Sequence, residues 1–330
     1  QIGLQVKQYL LMEAYPMLNN NFGYACINMQ LSYPDKYGIK ESKRVTTNRS
    51  MIKKTFVEKG IKYASELGLK NCKDLKSIIE WNHKNNFNFF RVTSDIFPWC
   101  SEYNIEDLPD YNEIKEVLSD IGDFVLKYKL RITSHPGPFN VLTSPHKHVV
   151  ENCIKDLSVH GQLFDLMKLS RTPYNKINIH IGGAYGDKEL SMKRFCENFN
   201  RLPFSVQSRL TVENDDRASM YHVSDLYNGV FKVINIPIVF DYHHHRFCSG
   251  GLSEEEALNL AISTWGNITP VVHYSESRNL EKKDNTIKPQ AHSDYVYNYI
   301  NTYNNKVDIM IEAKHKELAV SKYLNLFNEN

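Results

Sequence analysis

Eight apolar runs of strand length recur along the chain, each separated from the next by a longer segment, most of which carry helical periodicity. The runs fall at 22–29, 87–92, 130–134, 176–181, 210–213, 238–241, 270–274 and 307–311. Several are rich in Val, Ile and Phe, as strands buried on both faces are. Helices are expected at 72–85, 111–128, 146–169, 191–200, 224–233, 253–264 and 293–303. Local start signals mark Ser144-Pro145, the capping box from Ser253 to Glu256, and Ser293-Asp294. Alternating strands and helices predict a parallel sheet with right-handed crossovers, and eight such units without a long linker predict an α/β fold closed into a single (β/α)8 TIM barrel. The units average roughly 36 residues, in keeping with a barrel of about 250 residues plus insertions. The barrel is expected over 21–330, with 1–20 as an N-terminal extension packed on it.

Composition narrows the class. With 42% hydrophobic and 24% charged residues, disordered, collagen-like and disulfide-scaffold chains are excluded. No apolar run is long enough to span a membrane. The six cysteines are scattered without a C-x-x-C pair, which favours a reduced protein with no cysteine-type zinc finger, and 1–20 lacks the pattern of a signal peptide. An intracellular setting, cytoplasmic or nuclear, is expected. A formal charge of +2 neither demands nor forbids a nucleic-acid partner. Gly182-Gly183 does not make a dinucleotide fingerprint and no phosphate-binding G-x-x-x-x-G-K-[ST] loop is present, so no nucleotide cofactor is expected.

In a parallel barrel the active site forms at the C-terminal ends of the strands, which makes the residue ending each run the informative one. The third run ends in Ser134-His135, the fourth in Ile179-His180, the fifth in Val212-Glu213, the sixth in Phe240-Asp241, the seventh in Val272-His273 and the eighth in Ile311-Glu312. Six successive strands thus deliver an imidazole or a carboxylate to one rim. Imidazoles and carboxylates without thiolate suit zinc, manganese or iron, at three or four groups per ion. With His244 three residues beyond Asp241, and with His292, the set suffices for more than one ion. Such clusters suit phosphodiester hydrolysis. A single histidine at a strand end is more often structural, and His83, His146, His148, His160, His222 and His315 have no such placement.

These residues lie in stretches that resemble the UV damage endonucleases, within the wider endonuclease IV and xylose isomerase-like barrels. The resemblance runs over about 20–320 and is carried by Gly23-Tyr24-Ala-Cys26-Ile-Asn28, Thr46-Thr-Asn48-Arg49, Phe90-Arg91-Val, Ser134-His135-Pro-Gly137, His180-Ile-Gly-Gly-Ala-Tyr-Gly186, Glu213-Asn-Asp215, Asp241-Tyr-His-His244, Thr264-Trp265, Val272-His273, Ala291-His292 and Glu312-Ala-Lys-His-Lys-Glu317. It implies a metal-dependent DNA repair enzyme that binds damaged duplex DNA and cuts 5′ of the lesion, leaving a 3′-hydroxyl and a 5′-phosphate. By that resemblance His135, His180 and Glu213 hold one metal, while Glu213, Asp241, His273 and Glu312 hold a second, with Glu213 bridging. His244 and His292 serve a third. Glu213, Asp241, His244 and Glu312 form the catalytic set. Tyr24 and Asn28 lie near the lesion, and Asn48, Arg49 and Arg91 belong to the DNA-binding stretches.

Three positions depart from the family pattern. Asp95 stands where a histidine is usual after the second strand; as a ligand it favours manganese or magnesium over zinc. Val271 replaces a lysine two residues before His273, so no positive or modified side chain is expected at the metals. Pro138-Phe139 replaces the Gln-Tyr pair that probes the duplex, leaving a rigid proline and an apolar wedge. Two to three divalent ions are implied, manganese foremost, with zinc, magnesium or cobalt compatible. Lys43, Arg44, Arg49, Lys282, Lys283 and Lys288 flank the rim and can meet phosphates. Two other readings remain open: a two-metal sugar isomerase on the same barrel, and a lesion-binding protein that has lost catalysis. A monomer is the natural expectation for an enzyme that opens a broad face to duplex DNA.

Overall fold

The computed structural model describes residues 20–39 and 43–327; the expected 1–20 extension lies almost wholly outside them. Eight strands close in chain order into one parallel barrel: β1 Phe22–Ala25, β2 Phe89–Val92, β3 Arg131–Ser134, β4 Ile177–Ile179, β5 Leu210–Glu213, β6 Ile238–Asp241, β7 Val271–Tyr274 and β8 Asp308–Ile311. Closure comes from β1 pairing with β8, Phe22 against Ile309 and Gly23 against Met310. Around them lie α1 Lys53–Lys84, α2 Tyr111–Tyr128, α3 Lys147–Leu166 and α4 Lys188–Phe199. A composite α5 follows, Val223–Leu226, Tyr227–Phe231 and Lys232–Ile234, whose middle segment is π-helical. The outer layer is completed by α6 Glu254–Ile262, α7 Arg278–Lys282 and α8 Lys316–Phe327.

Strand side chains alternate with period two, and each parity meets a different environment. One set, including Phe90, Ile132, Ile179, Val212, Phe240, Val272 and Ile309, joins the helices in a large apolar layer. The other set fills the barrel with a small cluster of Ala25, Phe89, Val239, Val271 and Met310 around Trp265. Polar residues of the same parity continue that interior. Arg131, fully buried, closes its N-terminal end: Nη1 lies 2.8 Å from Asp308 Oδ2 and also donates to Thr269 O, while Nε donates to Tyr174 O.

Two expected elements are corrected. The first strand ends at Ala25 rather than 29, because Cys26 turns left-handed (φ 74°) and the Asn28 side chain accepts the Leu31 N–H to start a short helix, Met29–Ser32. The helix expected over 293–303 is absent, and that stretch is irregular. Its N–H groups go elsewhere: Glu281 accepts from Asp294 and Tyr295, and Glu276 accepts from Tyr297 and Asn298. Buried carboxylates outcompete the intrahelical bonds that Ser293-Asp294 would have started. Among the described residues no helix is long and apolar enough to cross a membrane.

Candidate metal centre

Each side chain at the rim owes its position to strand parity. His135 and His180 lie just past the ends of β3 and β4, Glu213 and Asp241 end β5 and β6, His273 lies within β7, and Glu312 follows β8. Asp241 also caps a single helical turn, Tyr242–His245: its Oδ1 accepts the His244 N–H at 2.8 Å, which brings the His244 ring over the same mouth. The buried neighbours in the run, His243 and His245, are not in this cluster; His243 packs edge-on to Phe247 and His292.

Four imidazoles converge on one carboxylate. Glu213 Oε2 lies 3.2 Å from His135 Nε2 and 3.1 Å from His273 Nδ1, and Oε1 lies 3.3 Å from His244 Nδ1 and 3.8 Å from His180 Nε2. Asn178, inward-facing on β4, donates to Glu213 Oε2 and accepts from Thr211 Oγ1. Glu312 stands 3.2 Å from His273 Nδ1 and is paired with the Arg91 guanidinium. Among the described residues three ligand groups result, each with donor atoms within 4.8 Å of one another: His135, Glu213 and His273; His180, Glu213 and His244; and Asp241, His273 and Glu312. The mouth above them opens into a cavity of about 750 Å³.

The second nitrogen of these rings supports a metal-binding role. His135 Nδ1 lies 3.1 Å from Pro136 O, His244 Nδ1 2.9 Å from Asn214 O, His292 Nδ1 2.8 Å from Glu312 O, and His180 Nδ1 3.0 Å from Asp215 Oδ1. An Nδ1–H given to an acceptor leaves Nε2 bare, which is the tautomer a cation needs. Asp241 Oδ2 is buried with no hydrogen-bond partner, an arrangement costly for a carboxylate unless a cation meets it. The donor set and these orphaned or pre-oriented atoms fit divalent metal.

Electrostatics agree with that fit. Burial alone would pull the His180 imidazole down, but Glu213 and Asp215 outweigh it and push its pKa up to about 10. Burial, aided by the charges on Glu213 and Glu312, pushes Asp241 up to about 7. The metal-free site therefore holds protons at neutral pH that cations must displace, and metal affinity rises as pH rises from about 6 towards 9. Calorimetric titration with Mn²⁺ at pH 7, in buffers of different ionisation enthalpy, is expected to show net proton release; zero release would contradict this charge arrangement. Asp215→Ala removes the acceptor 3.0 Å from His180 Nδ1 and is expected to weaken metal affinity by about 10–100-fold, read by competition with a chelating dye.

One sequence expectation is overturned at the site. Val271 does belong to the apolar interior, yet a lysine reaches the cluster from another strand. Lys176, fully buried just before β4, places Nζ 3.2 Å from His273 Nε2, and burial lowers its pKa to about 7. In its neutral form the amine accepts the Nε2–H and leaves His273 Nδ1 free for a cation. The signal was present in the period-two pattern Lys176-Ile-Asn178-Ile-His180, where the polar parity faces the barrel interior.

The remaining sequence-selected residues separate clearly. His292 lies 3.7 Å from Glu312 by its Nδ1 but is outside the three ligand groups. Asp95 is exposed on the loop after β2 and is likewise outside them. Tyr24 and Asn28, expected near the lesion, are fully buried. Parity puts Tyr24 on the outer face of β1, where its hydroxyl donates to Asn82 and accepts from Asn28 Nδ2. Arg91 belongs to the centre through Glu312, while Arg49 is tied to Asp74 and Thr46 O. Asn48 is exposed, accepting from Thr46. Pro138 is exposed and Phe139 is 87% exposed, so Phe139 is no core aromatic. Lys43, Arg44, Lys282, Lys283 and Lys288 are on the surface, with Lys282 paired to Asp294.

Comparison with known proteins gives the same residues a family context. The chain is 36% identical over 312 residues to a UV-damage endonuclease of Schizosaccharomyces pombe, a match that covers 90% of this chain and 49% of that protein. It is 35% identical to the UV DNA damage endonuclease of Clostridium perfringens, covering 86% of this chain and 68% of the relative. The chain thus spans about half to two thirds of the length of these relatives. The crystal structure of SacUVDE superposes with a TM-score of 0.76 at 31% identity, covering 94% of this chain and all of that one. The model of the family described as UV-endonuclease UvdE matches residues 20–329. With a matched region that contains the whole closed barrel and every rim ligand, the chain belongs to the UV-endonuclease UvdE family.

Proposed function

We propose that the chain is a metal-dependent DNA repair endonuclease that recognises damaged duplex DNA and hydrolyses the phosphodiester 5′ of the lesion, leaving a 3′-hydroxyl and a 5′-phosphate. The observation that carries this reading is the convergence of His135, His180, His244 and His273 on Glu213. On that reading about two to three divalent ions are held, at three or four donors each, with manganese the first candidate and zinc, magnesium or cobalt also accommodated by the mixed imidazole and carboxylate donors. Bound there, the ions would polarise the scissile phosphate and lower the pKa of water. His135, His180 and Glu213 would hold one ion, and Asp241, His273 and Glu312 with Glu213 a second. His244 and His292 would complete a third position.

The chain's own groups do the rest. Arg91 balances Glu312 and adds positive charge at the cavity mouth. Asp241 Oδ2, buried without a hydrogen-bond partner, is left open towards the cation position. Phe139 stands free on the loop next to His135, where an apolar side chain can part a weakened base step. A sugar isomerase has no use for such a wedge.

The test is strand nicking of matched duplexes that are undamaged, carry a UV photoproduct, or carry an abasic site, each with Mn²⁺ or EDTA. Cleavage 5′ of a lesion, with a ligatable 5′-phosphate and dependence on metal, is the expected result. Tight lesion binding without any cut would select the lapsed lesion-binding protein, and ketose–aldose turnover the isomerase.

A further inference from the structure

Phe139 is not the only aromatic side chain left open at the rim. Tyr185, on the loop between β4 and α4, is 49% exposed although its backbone is left-handed (φ 48°), a conformation that bulky side chains rarely adopt and that clusters at binding sites. The same loop starts at His180, and its Gly182 and Gly183 line the metal cavity. Gly182 (φ 112°) lies so close to the neighbouring loop that an added Cβ would stand 2.6 Å from Thr143 Oγ1 and 3.0 Å from Val141 Cα. Val141 is two residues beyond Phe139, so the two aromatic loops are packed directly on each other. Gly183 supports the tyrosine: a Cβ there would come within 3.0 Å of Tyr185 Cε2. Behind the ring, the Arg194 guanidinium carbon sits 5.7 Å from its centroid, and its hydrogen bonds go to neutral oxygens, Thr143 O and Ser191 Oγ, both at 2.8 Å.

We propose that Tyr185 is a second DNA-reading side chain, a platform on which a base displaced from the duplex stacks, with Arg194 behind it supplying positive charge for the flanking phosphate. The proposal rests on the endonuclease reading. A half-exposed ring, braced by glycine on one side and a guanidinium nearby, presents a π-face without needing to be ordered on binding. Stacking of this kind tolerates any base, so Tyr185 serves affinity for unstacked DNA rather than the choice of lesion. Nothing in its placement brings it to the reacting phosphate.

The experiment compares wild-type, Tyr185→Phe and Tyr185→Ala, loaded with Mn²⁺, on a UV-photoproduct duplex carrying 2-aminopurine beside the lesion. Tyr185→Ala is expected to raise KM by about tenfold while kcat stays within about twofold, as loss of one stacked base predicts. Tyr185→Phe keeps the ring and is expected to match wild-type. On binding, 2-aminopurine emission should stay low in wild-type and Tyr185→Phe, where the displaced base restacks on the ring, and rise in Tyr185→Ala, where it has none. Unchanged KM in Tyr185→Ala overturns the proposal, as does a fall in kcat together with Tm, which marks a structural role, or a Tyr185→Phe defect as large as that of Tyr185→Ala. Failure of the unsubstituted protein to nick the duplex overturns the endonuclease reading itself, and is read separately from the variants.

Discussion

Replacing Glu213 by Gln is expected to abolish metal-dependent nicking while leaving a folded barrel. Glu213 lies within 4 Å of four imidazoles, and it belongs to two of the three ligand groups found among the described residues. Burial alone would raise its pKa, but the charged His180 imidazole and the hydrogen bond from His135 outweigh burial and hold it ionised, well below the usual carboxylate range. Gln is isosteric but neutral, so cations at the centre lose the negative charge that both groups share. If metal supplies several kcal/mol of transition-state stabilisation, as is common, the rate falls by about 10³-fold or more. Initial nicking rates at saturating Mn²⁺, with circular dichroism to confirm folding, decide the matter. Activity within tenfold of wild-type would mean that Glu213 is not a shared ligand.

The second large effect lies at the opposite end of the barrel. Arg131→Met leaves Asp308 buried with its main charge partner gone, while Asn21 still donates to its Oδ1. Breaking one side of a buried ion pair typically costs about 3–5 kcal/mol. At the unfolding entropy of a chain of this length, that cost corresponds to a fall in Tm of roughly 4–7 °C. Neutralising both partners, Arg131→Met with Asp308→Asn, is expected to recover much of the loss, because no unpaired charge then remains inside. Scanning calorimetry of both variants beside the wild-type reads this directly. A single variant as stable as wild-type would show that water reaches the barrel floor. An exposed pair such as Lys76 with Asp120 carries no such expectation.

The fold and the rim were legible for a common reason. Parallel strands in a barrel must end at one face, so any chemistry-bearing residue at the end of an apolar run arrives there, as His135, His180, Glu213, Asp241 and Glu312 do. Parity within a four-residue strand is harder to read. Tyr24 sits between Gly23 and Ala25, and only the packing of Phe90 and Asn82 against it reveals that it faces outward. Lys176 opens a strand rather than ending one, so no strand-end rule marks it, and its long side chain reaches His273 across the interior, 97 residues away in sequence. The missing helix over 293–303 failed for a different reason. Glu276 and Glu281, at a distance in sequence that no local rule surveys, take the N–H groups its first turns would have needed. Asp95 illustrates the limit of position matching: the loop after β2 carries its carboxylate into solvent instead of towards the ligand groups.

That Glu213 is the centre of a multinuclear metal site is the claim on which the functional reading depends, and a metal count tests it most directly. The chain is loaded with Mn²⁺, freed of unbound ion by gel filtration at pH 8, and analysed for manganese per polypeptide, beside Glu213→Gln treated identically. The donor count predicts about two to three retained ions in the wild-type chain and no more than about one in the variant, since Asp241, His273 and Glu312 remain. Less than one ion in the wild-type, or equal retention in both, would contradict it.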